Sequence, residues 1–114
     1  MSPMSTDKKD LAALREEING INDEMLQLFL RRMQVSSDIA EYKRQNNLPV
    51  LDAARERELL AGVAQKAGED LDEYAIVLYS TILSLSRSYQ HKKMGAASAF
   101  CEEIARAIEK TPKL

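Results

Sequence analysis

The sequence predicts an all-α protein: a three-helix chain with a very long first helix that forms an intertwined homodimer, plus a short helix in a C-terminal tail. Three observations carry this prediction. The 114 residues include only 4 Gly and 3 Pro, and the intervening sequence is rich in strong helix formers. Apolar residues in the first third recur at alternating spacings of three and four. Helix-ending signals then divide the remaining chain into segments of helical length.

The first helix is predicted from about Leu11 to Gln45, which is roughly 50 Å at 1.5 Å per residue. Asp7 or Asp10 is placed to cap its start, and the Asn46-Asn47 pair ahead of Pro49 should end it. We call the apolar positions of its heptad pattern the seam, which consists of Leu11, Leu14, Ile18, Ile21, Met25, Leu28, Val35, Ile39 and Tyr42.

The length of the seam predicts a partner for this helix. The two shorter helices cannot easily cover so long an apolar face within one chain, and an exposed apolar seam requires burial elsewhere. A homodimer in which the long helices pack on each other is the simplest solution. A compact three-helix monomer with a bent first helix remains the alternative.

Two further helices are expected. Asp52 has the position of an N-cap for a helix to about Ala67, which Gly68 is placed to end. The third begins near Asp70 or Asp72 and reaches His91 or beyond. Residues 1–93 therefore form the predicted domain, and residues 94–114 form a tail or linker whose short helix spans about residues 100–109.

Composition and charge exclude several classes of function. The net charge of -2 and pI near 5.5 give no general reason to bind nucleic acid. The chain contains no apolar run of membrane-spanning length and no signal-peptide pattern at its start. The single Cys101 and single His91 argue against a metal cluster or a Cys-His catalytic pair. A cytoplasmic location and chemistry based on carboxylates, amides and cations are expected.

Basic residues on the first helix indicate an anion site. Arg32 occupies the heptad position between Leu28 and Val35, which continues the seam and where an unpaired charge is costly. Lys43 lies eleven residues further on, within ~20° of Arg32 around the helix. Arg15 is about 25 Å and ~100° away from Arg32, so it would approach the same anion only from a second, antiparallel chain. Taken singly, each cation is also explained by an ion pair with a neighbouring acid.

Polar groups on the other two helices extend this pattern. Asp52, Arg55 and Glu56 lie on one face of one turn, at positions i, i+3 and i+4. In the third helix Ser86 and Gln90 lie four residues apart beside an apolar stripe. Taken alone, the first set reads as a cap with a surface salt-bridge pattern, and the second as polar residues at a helix boundary.

The ordered combination of these motifs resembles the all-helical, type II chorismate mutases. The stretch from Pro49 to Glu56 is close to the P-V-x-D-x-x-R-E pattern of the family, and Ser86 and Gln90 match its closing pair. The resemblance covers about residues 8–93, and its remaining motifs are Leu14-Arg15-Glu16-Glu17-Ile18, Ile21-Asn22-Asp23, Leu30-Arg31-Arg32 and Ala40-Glu41-Tyr42-Lys43.

The resemblance implies a homodimer with interlocked first helices and the conversion of chorismate to prephenate in Phe and Tyr biosynthesis. This intramolecular [3,3] rearrangement needs no cofactor or metal. Arg15 would come from the partner chain, while the other chain would supply Arg32, Lys43, Asp52, Arg55, Glu56, Ser86 and Gln90.

The substrate that the resemblance implies is a dianion with two carboxylates. Arg15 of the partner and Arg32 would bind them, because a guanidinium donates two parallel hydrogen bonds to a carboxylate. Ser86 would donate to a carboxylate, and Arg55 would support a carboxylate and Glu56.

The remaining residues would act at the ether oxygen and the ring hydroxyl. Lys43 and Gln90 would stabilise the negative charge that develops on the ether oxygen as the C–O bond breaks. Glu56 and the Asp52 region would accept a hydrogen bond from the ring hydroxyl.

The sequence leaves two alternatives open. Isochorismate-pyruvate lyases share the fold and similar basic residues, but the full P-V-x-D-x-x-R-E match with Ser86 and Gln90 favours the mutase. A non-catalytic helical dimerisation module would explain the seam, although Arg32 in the seam argues against it. Residues 96–114 also resemble a linker to a prephenate dehydratase-type domain, so a fusion partner is expected in the natural chain.

Overall fold

A computed structural model describes residues 10–95 and 107–109, and all regular structure in these ranges is helical. Helix α1 spans Leu11–Gln45, α2 spans Ala53–Ala67 and α3 spans Asp72–Lys93. Residues 107–109 are also helical, whereas residues 100–106 of the expected tail helix lie outside the described residues. The predicted all-α class, the very long first helix and the order of the helices are confirmed.

Helix α1 begins and ends where its capping residues place it. The Asp10 carboxylate accepts a hydrogen bond from the backbone N–H of Ala13 at 2.8 Å, which satisfies one of the free N–H groups of the first turn. Asp7 lies outside the described residues. At the other end Asn47 adopts a left-handed backbone conformation with φ 55°, which asparagine tolerates better than most residues. The chain turns there, and the N–H of Leu48 donates to the carbonyl of Lys43 at 2.9 Å.

Helix α2 also follows the predicted signals. Asp52 caps it by accepting from the backbone N–H of Arg55 at 3.1 Å. Gly68 follows its last residue with φ 86°, a conformation in which a Cβ would be strained. Helix α3 has no side-chain cap, but Asp72 and Glu73 in its first turn interact favourably with the positive end of the helix dipole.

The chain divides into two units, Met1–Arg32 and Met33–Leu114. In the first unit the seam of α1 is exposed to solvent: Leu14 is 47% exposed, Ile18 58% and Met25 51%. The exposed seam is the surface that the expected homodimer would bury.

The second unit contains the buried residues of the described chain. Ala40 is fully buried, and Val50 and Leu83 are nearly so. Helix α2 packs against α3, and a hydrogen bond between Ser36 and Ser86 joins the later part of α1 to α3. None of the described helices is long and apolar enough to cross a membrane.

Candidate functional site

Two of the predicted cations, Arg15 and Arg32, lie on α1 in the first unit. Arg15 is exposed and Arg32 is half-buried. Neither side chain forms an ion pair or hydrogen bond within the described part of the chain. None of the described acids therefore neutralises either guanidinium group, and the donors of both groups are available to an anion.

Lys43, in the second unit, is fixed by a backbone carbonyl. Its ammonium nitrogen, Nζ, donates to the carbonyl oxygen of Val50 at 2.6 Å, and the side chain is half-buried. This contact ties the last turn of α1 to the link that precedes α2. Because the carbonyl is neutral, it orients the ammonium group without neutralising it, and two N–H donors remain for another partner.

Asp52 and Arg55 open α2, and the capping contact brings them together. One carboxylate oxygen of Asp52 accepts from the backbone N–H of Arg55 at 3.1 Å. Both residues are exposed, and the guanidinium of Arg55 takes no part in the cap. Asp52 thus has a structural role as the N-cap of α2, while its second carboxylate oxygen remains available to accept another hydrogen bond.

Glu56 is held by a residue that the sequence analysis did not single out. Arg87 of α3 donates through Nη1 to both carboxylate oxygens of Glu56, the contact to Oε2 being 2.6 Å. Its Nη2 also donates to the hydroxyl of Ser84 at 3.2 Å. The expected support of Glu56 by Arg55 stays a prediction. A basic residue beside Ser86 was visible in the sequence, but its pairing with Glu56 depends on how α2 packs on α3.

Ser86 and Gln90 form a buried polar cluster together with Ser36. The amide nitrogen of Gln90 donates to the Ser86 hydroxyl at 3.3 Å, and the hydroxyl oxygens of Ser36 and Ser86 are 2.6 Å apart. All three residues are at most 6% exposed. The carbonyl oxygen of the Gln90 side chain is buried and has no hydrogen-bond partner among the described residues, which is costly unless another group supplies a donor.

Ser36 was missed in the sequence analysis, although a signal for it existed. It lies four residues after Arg32 and seven before Lys43, spacings that place the three on one side of a helix. A small polar residue on the face that carries two cations of interest is a reasonable site candidate.

The second unit therefore combines a fixed ammonium group, a paired carboxylate and neutral hydrogen-bonding groups. Among the residues that the structure describes, no cluster of three or more His, Cys, Asp or Glu side chains is placed to hold a metal. The ammonium group and the neutral donors of this set suit the recognition of an oxygen-rich anion by hydrogen bonds, those from the ammonium group being charge-assisted.

Comparisons with known proteins agree on one family. The family model described as chorismate mutase type II matches residues 14–91. A bifunctional chorismate mutase/prephenate dehydratase of Buchnera aphidicola is 33% identical over 98 residues, which cover 84% of this chain and 25% of the relative. The corresponding enzyme of Aquifex aeolicus is 28% identical over 106 residues, or 85% of this chain and 29% of the relative.

A third relative, the T-protein of Haemophilus influenzae, is 35% identical over 65 residues, covering 54% of this chain and 17% of the relative. This chain thus spans less than a third of the length of each of these relatives. The search of solved structures found no match to this chain. The family match extends from the first turns of α1 to the end of α3 and includes every residue of the predicted site, and the chain therefore belongs to the type II chorismate mutase family.

Proposed function

We propose that this protein is a chorismate mutase that converts chorismate to prephenate in the biosynthesis of phenylalanine and tyrosine. The observation that carries this proposal is the match of the chorismate mutase type II family model to residues 14–91, a range that contains all eight predicted site residues. The structure supports it with three cations that form no ion pair with any of the acids it describes: Arg15, Arg32 and Lys43. A substrate with two carboxylates is a suitable counter-ion for such a set.

Catalysis of this reaction depends mainly on the positioning of the substrate. Arg32, together with Arg15 of a second chain, binds the two carboxylates and holds the enolpyruvyl arm over the ring. Ser86 donates to one of these carboxylates, and Arg55 supports the same region. Fixing the reacting atoms in the required conformer lowers the barrier by several kcal/mol, and no proton transfer, cofactor or metal is needed.

Electrostatic stabilisation of the transition state completes the mechanism. Negative charge gathers on the ether oxygen as its bond to carbon breaks. Lys43 and the amide nitrogen of Gln90 donate to this oxygen, and fixed donors act most strongly where charge develops. Glu56, together with the Asp52 region, accepts a hydrogen bond from the ring hydroxyl. The contact between Lys43 and the Val50 carbonyl, and that between Glu56 and Arg87, would limit the motion of two of these groups.

The active form in this proposal is a homodimer with two shared active sites. The exposed seam supports this: Leu14, Ile18 and Met25 together present an apolar stripe that a second α1 would cover. Association through the seam would also bring Arg15 of one chain to the site of the other, which one chain cannot do by itself along a single helix.

The proposal also covers the domain organisation of the natural chain and the location of the protein in the cell. Two relatives carry a name that combines chorismate mutase with prephenate dehydratase. We propose that residues 1–93 are the mutase domain, that residues 94–114 link it to a prephenate dehydratase-type domain, and that the protein is cytoplasmic. Reading the natural gene beyond codon 114 tests the fusion, and a stop codon there would refute it.

Turnover of chorismate tests the central claim. Purified protein is mixed with chorismate without added metal or cofactor, the loss of ultraviolet absorbance is followed, and the product is identified by its acid conversion to phenylpyruvate. Prephenate formation is the expected result. A folded protein that leaves chorismate unchanged but releases pyruvate from isochorismate would replace this proposal with the lyase.

Complementation tests the shared site. Arg15→Ala and Arg32→Ala should each be inactive as homodimers. After subunit exchange of an equal mixture, half of the dimers are mixed, and one of the two sites in each mixed dimer keeps both arginines, so about a quarter of the wild-type activity should return. No recovery after exchange verified by native mass spectrometry would contradict a site built from two chains.

A further inference from the structure

We propose that Ser36 is a positioning residue that directs the hydroxyl proton of Ser86 toward a substrate carboxylate, an inference that rests on the proposed function. The two hydroxyl oxygens lie 2.6 Å apart, and the side chains come from different helices, α1 and α3. Ser36 is 4% exposed and Ser86 is 6% exposed. Water therefore has little access to either hydroxyl, and each depends on protein or substrate groups for its hydrogen bonds.

The number of hydrogen bonds that the Ser86 hydroxyl can donate and accept determines which of them remains for a ligand. A serine hydroxyl has one proton to donate and two lone pairs that accept. Gln90 already donates to one lone pair of Ser86 at 3.3 Å. When Ser36 donates to the other, the only remaining capacity of Ser86 is its proton, which must then go to a third group.

The nature of the substrate selects between the two directions of this hydrogen bond. If Ser86 donated to Ser36, its proton would be used within the pair and would be lost to the ligand. A carboxylate only accepts hydrogen bonds. Its presence beside Ser86 therefore favours the arrangement in which Ser36 donates to Ser86 and Ser86 donates to the carboxylate.

Without Ser36, one lone pair of Ser86 loses its donor, and the hydroxyl is freer to rotate toward a competing acceptor on its own helix. Serine side chains within helices commonly donate to the carbonyl four residues earlier, which here is that of Ile82. Such a bond would turn the proton away from the site. Ser36 is thus expected to change how well the substrate carboxylate is held, rather than the rate of the bound complex.

The test compares Ser36→Ala with three other variants. Ser37→Ala is the matched control, because Ser37 is the adjacent half-buried serine on α1 and lies ~100° around the helix from Ser36. Ser36→Cys fills the same space with a weak donor. Ser86→Ala removes the group through which Ser36 is proposed to act. Each variant is checked by circular dichroism and native mass spectrometry, and kcat and KM for chorismate are then measured.

Ser36→Ala should lower kcat/KM by about 3- to 10-fold, as expected for one hydrogen bond, and mainly through a higher KM because the contact is made before and during the reaction. Ser36→Cys should show the same loss, and Ser37→Ala should stay within about twofold of the wild type. In the Ser86→Ala background, Ser36→Ala should have no further effect.

The outcomes separate this inference from the proposed function. If the wild type does not turn over chorismate, the proposed function fails and the role of Ser36 falls with it. If the wild type is active but Ser36→Ala behaves like Ser37→Ala, only the role of Ser36 is overturned. Full activity of Ser36→Cys would point to packing instead of hydrogen bonding, and an equal loss in the Ser86→Ala background would show that Ser36 does not act through Ser86. Either result would overturn the inference.

Discussion

The ion pair between Glu56 and Arg87 should be the main electrostatic link between α2 and α3, and replacing Arg87 by Met tests this. Methionine keeps most of the aliphatic stem of the arginine side chain, so the substitution mainly removes the charge and the donors. It leaves the Glu56 carboxylate, whose side chain is 21% exposed, without the cation that contacts both of its oxygens.

The expected cost follows from the burial of the pair. Exposed ion pairs contribute about 0–1 kcal/mol, whereas breaking a fully buried pair costs about 3–5 kcal/mol. The Arg87 side chain is 31% exposed and that of Glu56 is 21% exposed, so the pair lies between these limits. We expect Arg87→Met to lower the free energy of unfolding by about 2 kcal/mol, which agrees with about 1.5–3 kcal/mol for a hydrogen bond to a charged group.

A second ion pair, on α1, offers a matched control. Arg44 pairs with Glu41 three residues earlier on α1, and these side chains are 54% and 53% exposed. Arg44→Met removes the same chemistry from a solvated position and should lower the free energy of unfolding far less than Arg87→Met does. The contrast between the two substitutions therefore isolates the effect of burial and of contact between helices.

Urea unfolding followed by circular dichroism measures both variants, at one fixed protein concentration because association would contribute to stability. If the free energy of unfolding falls by about 2 kcal/mol per M urea, Arg87→Met should lower the urea concentration at the unfolding midpoint by about 1 M. Glu56→Gln and the double variant complete a double-mutant cycle, which should give a coupling energy of at least about 1 kcal/mol. Equal costs for Arg87→Met and Arg44→Met, or a coupling energy near zero, would refute the reasoning.

Two further predictions concern Lys43 and Glu41. Lys43→Ala should reduce kcat by about 10²- to 10³-fold, because it removes a fixed donor from the ether oxygen. Kinetic assays measure this, with Lys66→Ala as the exposed-lysine control. Unchanged turnover of Lys43→Ala would exclude the role of Lys43. A side-chain hydrogen bond from Arg44 lowers the pKa of Glu41 below its ordinary value of 4.5. The pair therefore stabilises α1 fully above that ordinary value and progressively less as the pH falls through the lowered pKa. Carboxyl NMR titration should show the lowered pKa, and Arg44→Met should raise it toward the ordinary value, although the hydrogen bond from Gln45 still lowers it.

Local sequence determined the helices and their ends. Asp10 and Asp52 cap α1 and α2 because a short side-chain oxygen reaches the free N–H groups of a first turn wherever the chain can form a helix. Gly68 ends α2 because it adopts a positive φ without strain. These effects involve neighbours within a few residues, so they can be predicted without knowledge of the tertiary structure.

The resemblance to a family named the candidate site residues, but only the tertiary structure decided their partners. Glu56 pairs with Arg87 across 31 positions of the chain, and Ser36 meets Ser86 across 50. No periodicity links such positions, because the pairing depends on how helices pack and rotate against each other. The sequence by itself determined which residues lie on which helix. Packing decided which charges and hydroxyl groups meet, because contacts between helices depend on relative orientations that short-range sequence patterns do not encode.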